Sequence, residues 1–142
     1  MQLQALSTDE VLQIHEALVT DFANSQDPIS PPGLRSRDLL ESAVSRQWVG
    51  HDGILKYPDP IDNAATLLYG ICCDHPFHNG NKRTALATLN ILLERSGYML
   101  VSNDEDLLNA EVEAMLLDVV EHRIDFETLV NWMKQRIAPY EE

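Results

Sequence analysis

His75, His78, Asn79, Gly80, Asn81, Lys82 and Arg83 fall within nine consecutive positions. An imidazole changes charge near neutral pH, so His75 is placed to take a proton from an attacking hydroxyl. Gly80 lets the backbone approach a ligand with no Cβ in the way. The first N–H groups of a helix beginning there have no intrahelical partner and carry the positive end of its dipole. Lys82 and Arg83 add full charges, Arg83 as a planar fork that suits two phosphate oxygens. A phosphate is the natural guest. The chemistry implied is transfer of part of a nucleoside triphosphate onto a hydroxyl, which needs in-line positioning and positive charge more than covalent help. Phe77 reads as the anchor that locks this loop against the core.

A second chemistry is open to the same stretch. Cys72, His75 and His78 are three apart and could converge as zinc ligands of a hydrolase, although Pro76 interrupts the helix between them. Against that, the adjacent Cys72 and Cys73 lie on an apolar segment and read as two small buried thiols.

The elements that hold the loop can be read on either side of it. Asp59 followed by Pro60 is an N-cap with proline at the first helical position, and Ile61, Ala64, Ala65, Leu68 and Cys72 make a buried stripe. That helix must stop near Asp74, because Pro76 disfavours helical geometry at His75. The next begins at Gly80 or Asn81 and runs to Ser96, apolar around most of its circumference, which predicts a place in the middle of a bundle. Earlier in the chain, Thr8 and Asp9 can cap a helix carrying Val11, Ile14, Leu18 and Phe22, with His15 a histidine at the core edge. The three-proline run 24–33 is a loop, long enough to suggest a function. Ser36 opens a short helix whose solvated face holds Arg35, Arg37 and Glu41. Between Trp48 and Pro58 two glycines permit a hairpin-like ribbon. Ser102 and Glu105 make a capping-box pattern for a fifth helix, and Asp125 caps a sixth that ends in an acidic tail. The fold expected is all-α, about six helices with one small ribbon.

At 142 residues, with 44% hydrophobic, the chain suits one domain over 1–142 with its own core. A net charge of −13 argues against coating nucleic acid, since phosphate backbones are bound by clustered Lys and Arg. No apolar run approaches the ~20 residues of a membrane span, and the start lacks an export signal, so a cytoplasmic location is expected.

The stretch His75-Pro76-Phe77-His78-Asn79-Gly80-Asn81-Lys82-Arg83 resembles the Fic/Doc motif His-x-Phe-x-(Asp/Glu)-Gly-Asn-x-Arg, and the Lys-Arg-Thr-Ala continuation resembles the death-on-curing (Doc) branch. The resemblance runs from about Ser7 to the C-terminal helix. It implies a Fic/Doc-like helical bundle with His75 as general base and Gly80, Asn81, Lys82 and Arg83 holding the phosphates of ATP or another nucleoside triphosphate. The acidic motif position, here Asn79, would hold Mg²⁺. A β-ribbon flap at Ile54, Leu55 and Lys56 would align the target by main-chain pairing. The usual family reaction is AMP transfer (AMPylation) to a protein Ser, Thr or Tyr hydroxyl. Doc-like members bind the triphosphate reversed and pass on its γ-phosphoryl as protein kinases. The resemblance further implies a toxin acting on elongation factor Tu and neutralised by an antitoxin.

Two positions depart from the pattern. Asn79 replaces a carboxylate, and a neutral amide is a weak ligand for a hard cation. Leu86 stands where AMP-transferring members carry a second Arg, which argues against AMP transfer. No Ser/Thr-x-x-x-Glu-Gly inhibitory helix is recognisable, so restraint is expected from another chain. The alternative is a catalytically weak or inactive nucleotide-binding module with a regulatory role.

Overall fold

A computed structural model describes residues 4–140 of the 142; the first three residues and the acidic ending Glu141 and Glu142 lie outside them. Six α-helices follow in order: α1 (Thr8–Phe22), α2 (Arg37–Ser45), α3 (Pro60–Asp74), α4 (Asn81–Arg95), α5 (Glu105–Val120) and α6 (Phe126–Lys134). Strands β1 (Gly50–His51) and β2 (Ile54–Leu55) pair antiparallel between α2 and α3, where the ribbon was expected. A second ribbon was not foreseen. It pairs β3 (Tyr98–Leu100) with β4 (Ile137–Pro139), closing the chain's end onto the residues that leave α4.

α3 and α4 form the centre. α3 buries nine of its fifteen residues, among them Ala64, Ala65, Leu67, Leu68, Ile71 and Cys72, and packs against α2, α4, α5 and α6. At Gly70 a Cβ would come within 3.0 Å of the Ala43 Cα, so glycine permits the close α2–α3 crossing. α4 buries Thr84, Ala85, Thr88, Leu89, Leu92 and Leu93 and touches α1 and α5 as well as α3. α3 is thus the more enclosed of the two, because α4 leaves Leu86 half-buried and Asn90 exposed along one side.

Helix starts follow side-chain capping, with two corrections. Ser7, not Thr8 or Asp9, caps α1: its hydroxyl accepts the Glu10 N–H while the Glu10 carboxylate takes the Ser7 N–H. Asp104 caps α5 by accepting from Asp106 and Leu107, so Glu105 opens the helix rather than completing a box with Ser102. One carboxylate placed to take two N–H groups leaves the serine unneeded. Ser36, Asp59 and Asp125 cap α2, α3 and α6 as read from the sequence. α4 alone among these helices begins without a side-chain cap, on Gly80.

Candidate active site

The loop between α3 and α4 is held from three sides. α3 stops at Asp74, and His75 takes a left-handed conformation (φ 50°) with its N–H on the Ile71 carbonyl. Arg35 is exposed, as a solvated face requires, and its guanidinium in addition closes the end of α3, Nε donating to the His75 carbonyl at 2.8 Å and Nη2 to that of Asp74 at 2.9 Å. Next along, the Pro76 carbonyl accepts the N–H groups of Arg35 and Ser36. Asn81 then reaches back, its Oδ1 accepting from Phe77 N at 3.0 Å and its Nδ2 donating to Phe77 O at 2.9 Å.

Phe77 is buried, and His15 lies flat against it, ring centroids 3.9 Å apart at 8°. His15 is therefore a core residue rather than an edge one. Its Nε2 accepts the Gly33 N–H at 3.2 Å, so Nδ1 carries the proton and donates to Thr84 Oγ1 at 3.0 Å. Burial holds its pKa below the usual histidine value, which agrees with a neutral ring. One side chain thereby joins α1, the proline loop, the Phe77 anchor and α4.

These contacts open a cavity of about 550 Å³ lined on one side by His75 and by Gly80, Asn81, Lys82 and Arg83, and on the other by α5 residues including Asn109, Val112 and Glu113. All five residues read as base and cradle therefore face one space. The uncapped start of α4 opens into it, so the leading N–H groups remain for an anion. His75 is half-buried and lines this space.

Arg83 is directed into the cavity but not to empty solvent. Its Nη1 donates to the Asp27 carbonyl at 2.6 Å, Nη2 lies 3.9 Å from the Asp27 carboxylate, and the guanidinium sits 4.8 Å over the Phe22 ring. Asp27 lines the cavity too and belongs to the proline loop, which also lays Ile29 over Gly80. The sequence marked that loop as functional by its length alone; the contact spans 56 positions and no local pattern shows it.

Asn79, expected to hold Mg²⁺, has both ends of its amide engaged: Oδ1 accepts from Gly80 N at 2.8 Å and Nδ2 donates to the Ser30 carbonyl at 3.0 Å. Such a residue fits a clasp on the loop better than a metal ligand. A hard cation entering the cavity would find lining carboxylates on Asp27 and Glu113. The zinc-hydrolase alternative loses its donor set, since Cys72 is fully buried with its thiol pushed up to about 12. Among the described residues no group of three or more His, Cys, Asp or Glu converges.

Comparison with known proteins agrees with this geometry. The family model described as Fic, the Fic/DOC family, matches residues 5–93. The chain is 37% identical over 81 residues to Toxin Doc of Mycolicibacterium smegmatis, covering 54% of this chain and 62% of that protein. It is 27% identical over 107 residues to protein adenylyltransferase fic-1 of Caenorhabditis briggsae, covering 66% of this chain. The Caenorhabditis elegans protein of the same name is 28% identical over the same length. The chain spans only a fifth of the length of each nematode relative.

Proposed function

The chain belongs to the Fic/DOC family, and from that premise we propose that it transfers a phosphoryl group from ATP or a similar nucleoside triphosphate to a protein Ser, Thr or Tyr hydroxyl. His75 is the general base. The leading N–H groups of α4, Lys82 and Arg83 hold the phosphates. The observation that carries this reading is the uncapped N-terminus of α4 facing the same cavity as His75. In-line displacement at phosphorus then needs only that the hydroxyl approach between the imidazole and the bound phosphate.

Phosphoryl rather than AMP transfer is favoured by the shape of the groove. Leu86, Asn109 and Val112 line both the main cavity and a further recess of about 280 Å³, which continues along α4 to Asn90, Tyr98 and Tyr140. From Asn81 to Asn90 the helix rises about 14 Å, at 1.5 Å per residue. A nucleotide laid along it places its base among those amides and phenol rings and its terminal phosphate beside His75. An apolar Leu86 under the middle of the chain offers nothing to grip a distal phosphate, as AMP transfer requires.

In the same reading the β1–β2 ribbon, through Ile54, Leu55 and Lys56, pairs with the target segment, and Ile54 is the most exposed large apolar side chain described. Resemblance to a protein named Toxin Doc supports a toxic activity restrained by a separate antitoxin chain, with elongation factor Tu the first target to try. The test is ATP labelled at either the α- or the γ-phosphate, incubated with the protein and a cell extract. Label should reach protein from the γ position only; transfer of α-label would assign nucleotidyl transfer instead. A regulatory module would bind ATP and pass on neither.

A further inference from the structure

A second cavity, of about 490 Å³, lies under the β1–β2 ribbon and shares no lining residue with the first. Its aromatic wall is Tyr57, Tyr69 and Phe126, with Phe126 tilted against Tyr57 (4.9 Å) and edge-on to Tyr69 (5.5 Å). Val49 and Lys56, the residues that enter and leave the ribbon, line its mouth and are joined by Lys56 N donating to Val49 O at 2.8 Å. Two charged side chains line it, Arg46 and Lys56, and no lining residue is acidic. In a chain of net charge −13 a lining without carboxylates is a local departure, although Arg46 shares its charge with Asp74 just outside it.

Arg46 is also incompletely satisfied. Its Nη2 meets Asp74 Oδ1 at 3.3 Å, yet its Nε is buried with no acceptor. The partner carboxylate is short of a bond as well, its Oδ2 buried with no donor, so the Arg46–Asp74 pair leaves one group unsatisfied on each side. Because Asp74 directly precedes His75, Arg46 joins this cavity to the catalytic loop.

We propose that this cavity is a specificity pocket for an acidic side chain of the target polypeptide, a Glu or Asp within a few positions of the modified hydroxyl. The inference rests on the proposed role of the ribbon in aligning the target. An extended segment paired with the ribbon advances about 3.3 Å per residue. One of its side chains then descends past Val49 and Lys56 while another is presented to His75. The entering carboxylate accepts from Lys56 Nζ and from the accessible part of the Arg46 guanidinium, whose side chain is 39% exposed, and its methylene stem packs on the aromatic wall. Charge complementarity selects this occupant over a basic segment, which the two cations repel.

The test uses the full chain with an immobilised oriented library of peptides carrying one fixed Thr between degenerate flanks, read twice: by retention without ATP and by modification with ATP. Asp and Glu should be enriched at one flanking position by roughly fivefold, the selectivity of a charge-assisted hydrogen bond partly open to water. Lys56→Glu, at an exposed position, should invert that preference towards Lys and Arg, and Arg46→Gln should abolish it. ATP binding by calorimetry, made at the other cavity, reports that each variant is folded. Retention with no acidic preference, enrichment of apolar residues, or a preference unmoved by Lys56→Glu would overturn the proposal. Acidic retention without any modification would refute the transfer reading and leave the pocket standing.

Discussion

His75, the proposed base, holds a backbone conformation that a non-glycine residue seldom takes, at the forced break between two central helices. Arg35 holds that conformation through the two carbonyls, so the imidazole can be removed without disturbing the loop. His75→Ala is therefore expected to lose transfer by at least about a hundredfold, the usual worth of a positioned base, while circular dichroism and melting temperature stay near wild type. Arg83 shares its charge with Asp27, a mostly exposed carboxylate beside the site where a phosphate would sit. Asp27→Asn should tighten triphosphate binding by roughly threefold, as removal of a screened surface charge does; unchanged calorimetric affinity would separate Asp27 from the anion site. His15 gives a pH dependence with a definite sign. Its folded-state pKa lies below 6.5, so as the pH falls under that value the unfolded chain takes up the proton first. Stability should be full above about pH 6.5 and decline on acidification towards the folded-state pKa. A denaturation series flat across that window would contradict a neutral His15 held by Gly33.

Among the elements, α4 matters most because its start is left uncapped. Gly80 at φ 78° both turns the chain and accepts the Ile29 side chain, which would lie 2.9 Å from a Cβ. Gly80→Ala should cost about 1 to 3 kcal/mol through left-handed strain, with a further loss from displacing Ile29, and it should weaken ATP binding through the moved N–H groups. Urea titration and calorimetry on the same preparation check both. The limits of α3 and α4 were legible in the sequence because Asp59-Pro60, Pro76 and Gly80 act locally, through φ and missing N–H groups. The β3–β4 ribbon was not. Its second strand is three residues with a proline, carries no alternation long enough to register, and exists only because the chain returns to the end of α4.

For the molecule as a whole, the spacing from His75 to Arg83 brings the residues read as base and cradle to one cavity, since residues so close in sequence around a helix start can hardly avoid sharing a space. What the sequence concealed is the far wall. Asp27 and the α5 residues Asn109 and Glu113 reach the cavity through packing across the fold, and His15 meets Thr84 over 69 positions. The same distance effect hid Arg35, whose partners lie about 40 residues on. The acidic net charge, read as a bar to nucleic acid, gains a second meaning beside the two cavities: the first sets Asp27 and Glu113 against Lys82 and Arg83, while the second is lined by Arg46 and Lys56 with no carboxylate in its lining.

The most direct measurement is an intact-mass comparison of target proteins after incubation with ATP and either the wild-type chain or His75→Ala. A phosphoryl increment with wild type and none with the variant is the predicted result. Equal increments with both proteins, or ATP binding with no increment from either, would contradict a transferase that uses His75 as its base.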